Sequence, residues 1–352
     1  MRDVRSPVLA AAVLVTLAAG GARAAAPYPR SALVAGLRWD TATYRSTGLG
    51  GDLWPTTAGA DGKVYTAWGD GTVTCPARVS YGVASVAGGP SADLVGAGCG
   101  TPGDKAGKLV SLLDVAGTLY ATVYLQGRPD TGAVAVWSSP DHGATWRKPA
   151  WTFPGTAGSL QPGAFVQFGP GYAGARDRYV YLLAQKPGEG QAEVYLMRAP
   201  VSGLQVKVAY RYLAGAPAAP VWSALPAAAV PVFADPAGAD GPRLGYDAGL
   251  HRYLLTAGHG GGNRVGVFEG PRPWGPWATV DYEDGWLGIG DGGSYLGVGF
   301  PSPWMADGGR SLWAVFSCWS STKKTTGVEA CGAYNDRYAL MRATLTLAPA
   351  RR

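Results

Sequence analysis

The sequence predicts an all-β chain folded as a five-bladed β-propeller, and two observations carry that expectation. The first is composition: 54 of 352 residues are glycine, alongside 18 Tyr and 13 Trp. Glycine or proline interrupts nearly every window of a dozen residues, and both are unfavourable inside helices. Short aromatic and β-branched runs bounded by turn residues read instead as strands. The second is a loose fivefold recurrence of a turn followed by an aromatic-bearing strand, at 61–65, 116–120, 176–181, 249–253 and 308–313. With Tyr65, Tyr120, Tyr181, Tyr253 and Trp313 as markers, the intervals are 55, 61, 72 and 60 residues. These exceed the ~40–50 residues of small propeller repeats and leave room for four strands with long loops. Five blades round a central channel fit that spacing; a β-sandwich of similar length is the rival architecture.

Taken in order, residues 1–26 read as an export signal. Arg2 and Arg5 give a positive start, 8–19 is a short apolar core, and Ala22-Arg23-Ala24 is a small-residue cleavage site. The apolar run is shorter than the about 20 residues of a membrane span. Residues 27–352 are therefore expected as a single propeller domain, secreted or periplasmic, with a retained anchor as the alternative. Strands are expected at 63–67, 118–125, 133–138, 179–184, 193–198, 253–256, 264–268, 311–316 and 338–347, and a surface loop at 214–231. Ser139-Pro140-Asp141-His142-Gly143-Ala144-Thr145-Trp146 matches the Asp-box pattern Ser-x-Asp-x-Gly-x-Thr-Trp. In such a turn the aspartate accepts local hydrogen bonds while glycine takes the special backbone conformation. The segment is similar to boxes on the outer turns of sialidase-like propellers, which makes Asp141 structural.

Cys75, Cys99, Cys318 and Cys331 form an even set, which in an exported chain favours disulfides. Sequence proximity favours Cys75–Cys99 and Cys318–Cys331 among the three connectivities. The cysteines lack zinc-site spacing and the chain has three histidines, so neither metal nor cofactor is expected. The formal charge of +6 falls to about +4 without the signal. No Lys/Arg cluster lies on an aromatic stripe, which argues against a nucleic-acid partner. A monomer without a membrane span is expected.

Chemistry points to Asp52 and Asp70, eighteen residues apart at the two ends of one candidate hairpin. Each is bracketed by glycine and an aromatic residue. Two carboxylates can share acid and base work on a glycosidic bond, although Gly69-Asp70-Gly71 is also an ordinary hairpin-turn signal. Asp70, beside Trp68, is the candidate acid, because an apolar wall raises a carboxyl pKa; Asp52 is then nucleophile or base, and the two roles can be exchanged. Trp54, Trp68 and Trp304 are candidates for stacking on sugar rings or for packing between blades. Gln167 alternates with aromatics and is a candidate channel residue. Asn335 and Asp336 sit in a loop before the last strand, able to bind hydroxyls or to make a turn.

Asp52-Leu53-Trp54-Pro55-Thr56, the segment from Gly62 to Gly71, Phe300-Pro301-Ser302-Pro303-Trp304-Met305 and the closing Tyr338-Ala339-Leu340-Met341-Arg342 resemble exported bacterial proteins long catalogued as a domain of unknown function, a group that includes endo-D-arabinanases. The resemblance covers roughly residues 40–348 and is strongest at the two ends. It implies a five-bladed propeller glycosidase that cleaves D-arabinan of mycobacterial-type walls, with Asp52 and Asp70 as the catalytic pair and a polysaccharide as partner. A non-catalytic carbohydrate-binding propeller is the alternative from another class. A sialidase is a third, weakened by the lack of a recognisable arginine cluster and Tyr/Glu pair.

Overall fold

The computed structural model describes residues 25–103, 107–125, 132–188, 191–260, 264–283, 286, 293–320 and 336–349. Antiparallel sheets follow one another round a channel as five blades. Blade one comprises Thr56–Ala58, Lys63–Gly71, Val79–Ala87 and Val95–Cys99. Blade two comprises Lys108–Val115, Thr118–Tyr124 and Val134–Ser139. Blade three runs Gln161–Phe165, Tyr179–Gln185, Glu193–Pro200 and Arg211–Leu213, with Trp222–Ser223 and Pro231–Ala234 added outside. Blade four comprises Asp240–Asp247, Arg252–His259, Arg264–Gly270 and Ala278–Glu283.

Blade five is built from both ends of the chain. Ser311–Phe316 pairs with Arg337–Leu347, and the 17-residue N-terminal strand Val34–Gly50 pairs with the other edge of Arg337–Leu347. The register runs from Val34 opposite Leu347 to Gly50 opposite Arg337. Hydrogen bonding between first and last strands thus closes the ring and covers the edge that Arg337–Leu347 would otherwise present. Gly293–Tyr295, paired with Cys318–Ser320, supplies the blade's channel side.

Alternation along each strand buries both faces, because each blade packs against two neighbours. Tyr65, Val83, Leu112, Ala121 and Trp137 fill the layer between blades one and two. Trp54, Trp68, Val315, Tyr338 and Leu340 fill the layer between blades five and one. All nine strands expected from the sequence coincide with observed strands, most of them extended by one to four residues; 118–125 runs one residue past Tyr124 and 133–138 begins one before Val134. Residues 214–231 are mainly irregular as expected, interrupted by Trp222–Ser223 and a 3-10 turn at Pro226–Ala228. Cys75 and Cys99 form a disulfide with Cα atoms 5.9 Å apart; the second expected pairing involves Cys331, which lies outside the described residues, as do residues 1–24 of the signal expected over 1–26.

The turn at 139–146 holds itself together as its pattern requires. Asp141 accepts hydrogen bonds from the Ser139 hydroxyl at 2.7 Å, the Thr145 amide at 2.9 Å and the Thr145 hydroxyl at 2.6 Å. Those bonds, with the Thr145 hydroxyl foremost, pull its pKa down to about 2. His142 stacks on Tyr65, near the start of Lys63–Gly71, whereas Asp70 lies at that strand's other end. The turn is therefore remote from the carboxylates discussed next.

Candidate active site

The chain enters blade one through Gly50-Gly51-Asp52, and Asp52 forms an isolated antiparallel bridge with Gly69. Paired backbone hydrogen bonds of 3.0 Å in both directions fix that contact. It sets the Asp52 carboxylate against the last turn of Lys63–Gly71, where Asp70 projects. Gly69 is required here: a Cβ at that position would run into Asp52 Oδ1. Leu53 (φ 74°), Trp54 (φ 44°), Asp70 (φ 50°) and Asp336 (φ 61°) all occupy the left-handed region. Aspartate visits that region more readily than leucine or tryptophan, so the backbone beside Asp52 is strained. Such strain concentrates at functional sites.

A lysine from the next blade connects the two aspartates. Lys108, the first residue of Lys108–Val115, places its Nζ 2.5 Å from Asp52 Oδ2 and 2.6 Å from Asp70 Oδ2. Contacts to one nitrogen cap the separation of those two oxygens at about 5.1 Å. Asp52 and Lys108 are largely enclosed, with side chains 13 % and 20 % exposed, whereas Asp70 is 45 % exposed. Burial pushes the Asp52 carboxyl up, opposed by the Lys108 ammonium. Burial works against the Lys108 charge, but Asp52 and Asp70 together outweigh it and raise its pKa.

A third aspartate approaches from the far end of the chain. The Gly51 amide donates a 2.5 Å hydrogen bond to the Asp336 carbonyl, just before Arg337–Leu347. Burial, then the charge of Asp52, pushes the Asp336 carboxyl up to about 6; Asp70 adds to this, while Lys108 and Arg78 oppose it. Two carboxylates thus contact one ammonium, and Asp336 is tied by its backbone to the residue before Asp52.

A cavity of about 330 Å³ borders this part of the chain. Leu53, next to Asp52, and Val110, two residues beyond Lys108, share its wall with Tyr124, Asp240, Arg243 and Tyr295. Arg243 meets no carboxylate among the described residues, and burial pulls its pKa down to about 10. Its one hydrogen bond is a 3.4 Å contact to the Pro242 carbonyl. The Asp240 carboxylate has no hydrogen-bonding partner among the described residues, and burial raises its pKa. The cavity therefore offers both donors and acceptors to a polyhydroxylated ligand.

The other expected site residues behave differently. Trp54 and Trp68 are 2 % and 0 % exposed and pack on one another at 5.9 Å, so both are wall-building residues and not open stacking platforms. Trp304 is also buried, and its indole donates to the Gly88 carbonyl at 3.0 Å. The apolar wall expected beside Asp70 is absent, because Trp68 turns into the core. Gln167 lines a small pocket, and its side chain accepts from Thr57 at 2.9 Å and donates to the Leu112 carbonyl at 2.8 Å, tying it to blades one and two. Asn335 lies outside the described residues. Lys108 and Arg243 were not legible as site residues, and Asp336 carried only a hint through its loop.

Residues 117–340 match the family described as a domain of unknown function, DUF4185. The chain belongs to the DUF4185 family. The matched span begins after Asp52, Asp70 and Lys108 and includes Asp336. No curated protein sequence matches this DUF4185 chain. Among solved structures, the fold is similar to a Bacteroides ovatus protein described only as a candidate hydrolase, at TM-score 0.55 and 14% identity, covering 85% of this chain and 87% of that one. It is also similar to a GH43_1 enzyme from Xanthomonas citri, at TM-score 0.53 and 12% identity over 87% and 94% of the two chains. A third is the β-xylosidase RS223, at TM-score 0.51 and 13% identity over 87% and 98%. At these identities the likeness is one of fold.

Proposed function

We propose that this DUF4185 protein is a secreted glycoside hydrolase acting on a furanose-containing polysaccharide, with D-arabinan of mycobacterial-type walls as the substrate. The reading is carried by one observation: Asp52 and Asp70 converge on the Lys108 ammonium, and Leu53, beside Asp52, lines a cavity that also holds Asp240 and Arg243. Glycoside cleavage needs an ionised carboxylate for the oxocarbenium-like centre and a protonated one for the leaving oxygen. The fold's likeness to a GH43_1 enzyme and a β-xylosidase is consistent with sugar chemistry at this mouth, and the arabinan assignment rests on the motif resemblance.

The spacing of the pair refines the mechanism. A ceiling of about 5.1 Å is close to the ~5–5.5 Å of retaining pairs. An ammonium lies between them, 2.5 and 2.6 Å from the two carboxylates, and opposes the effect of burial on Asp52. Asp52 and Asp70 share the chemistry, one as acid and the other as nucleophile or base.

Purified protein incubated with arabinogalactan or lipoarabinomannan is expected to release oligosaccharides. Asp52→Asn and Asp70→Asn are each expected to reduce release by about 10²-fold or more with the fold intact by circular dichroism. Binding without products from the wild type would replace the hydrolase with a carbohydrate-binding propeller.

A further inference from the structure

We propose that Arg243 and Asp240, with the Tyr124 hydroxyl, form the subsite that holds an uncharged sugar unit of the substrate through its free hydroxyls. The inference rests on the hydrolase reading and deepens it by naming the residues that select the sugar. All three line the cavity of about 330 Å³, a size at the small end of the ~300–1,000 Å³ of ligand pockets. The same cavity touches the chain beside the carboxylate pair. Leu53 follows Asp52, and Tyr124 is the strand partner of Lys108, whose ammonium contacts Asp52 and Asp70.

Local backbone turns the two charged side chains onto one cavity. Residues three apart on a regular strand point to opposite faces, yet Asp240 and Arg243 share this wall. A register shift between them, where Asp240–Asp247 pairs with Arg252–His259, supplies the change of direction. Gly241 (φ 53°) sits inside that irregularity. Gly297 (φ 71°), also in the wall, packs on the guanidinium: a Cβ there would come within 2.8 Å of Arg243 Nη2. Glycine at 297 therefore leaves the guanidinium its place at the cavity.

The three polar heads are left open by the protein itself. Among the described residues Arg243 makes no ion pair and only the 3.4 Å contact to the Pro242 carbonyl. Neither the Asp240 carboxylate nor the Tyr124 hydroxyl has a hydrogen bond there. Burial works against the charge on Arg243 and on Asp240. A buried polar group left unpaired is costly, so three round one cavity mark a place that a ligand completes. Their tasks differ: the guanidinium donates to hydroxyl oxygens, the carboxylate accepts from hydroxyl hydrogens, and the phenol does either. Neighbouring free hydroxyls on a furanose ring answer all three. The cavity's two charged side chains have opposite signs, and Asp52 and Asp70 outnumber Lys108 beside it, which disfavours an acidic sugar. A site of this kind rejects an analogue lacking one hydroxyl, because a buried partner is then stranded.

Calorimetry in the Asp52→Asn background, where cutting is slowed, compares a D-arabinofuranosyl oligosaccharide with its 2-deoxy and 3-deoxy forms and with a uronic-acid oligosaccharide. The parent is expected to bind about 10–100-fold more tightly than at least one deoxy form, the worth of a hydrogen bond to a charged group. The acidic oligosaccharide should bind more weakly than the parent. Adding Arg243→Gln should weaken the parent by a similar factor and bring parent and deoxy forms together. In turnover, Arg243→Gln alone should raise KM more than it lowers kcat. Equal binding of the parent and both deoxy forms, tighter binding of the acidic oligosaccharide, or undiminished discrimination in Arg243→Gln would each overturn the subsite. The deoxy comparison leaves Arg243 in place, so it decides the matter even where Arg243→Gln does not fold. Release of oligosaccharides from arabinan by the wild type would keep the hydrolase reading in any of those cases. Discrimination among the sugars without any product from the wild type would support the subsite and overturn the hydrolase; no binding of the parent would overturn the subsite.

Discussion

Lys108 gives the cluster its electrostatic character. Without it, Asp52 and Asp70 would be adjacent like charges, and such a pair shares a proton because both cannot ionise cheaply. Lys108→Met is therefore expected to move the acidic limb of the pH–activity profile upward and to lower the maximal rate, read from kcat across pH. A lysine serving only as surface decoration would leave that limb in place. Nothing in Lys108-Leu109-Val110 advertises this role, because the partner lies 56 residues away on another blade. Asp336 is harder still to see, since only ring closure brings it to Gly51. Tryptophan was the misleading residue. Glycines next to Trp54 and Trp68 suggest room for a ligand, but Cβ atoms at Gly51, Gly71 and Gly82 would each strike the Trp68 ring. Those glycines make space for an indole in the core.

Among the elements, the hairpin of Thr56–Ala58 and Lys63–Gly71 does the positioning. Gly69→Ala should displace the Asp52 carboxylate and cut activity by more than about tenfold, while its outward neighbours keep the blade folded; activity unchanged in a folded variant would show that Asp52 need not sit there. The disulfide secures the segment after Asp70, closing a loop with a sequence separation of 24. Loop-closure entropy gives such a crosslink about 3–4 kcal/mol, so the Cys75→Ala/Cys99→Ala double variant should unfold at distinctly lower denaturant concentration. Strand legibility followed side-chain pattern. Strands such as Tyr179–Gln185 carry aromatic and β-branched residues and were readable. Asp240–Asp247 contains two glycines and a proline, and Val34–Gly50 is rich in threonine, serine and glycine with register shifts, so neither looked like a strand. Their order comes from pairing with Arg337–Leu347 and Arg252–His259.

At the scale of the molecule, fivefold architecture was visible because aromatic markers recur once per blade. How the ring closes was not, because a pairing between residues some 300 positions apart leaves no local pattern. That closure is testable. Deleting residues 34–50 would bare the edge of Arg337–Leu347 and the apolar side chains of Leu37 and Trp39's layer. The truncated chain should aggregate or elute as a mixture on size exclusion, whereas a strand that merely decorates the edge would be dispensable. The seam also governs when chemistry can begin. Gly50-Gly51-Asp52 leaves the first strand and Asp336 precedes the last, so the reactive group is assembled across the junction of the two chain termini. A polypeptide still being synthesised holds only part of that group. On the proposed reading, a single cut in Arg337–Leu347 is expected to abolish activity together with the closure.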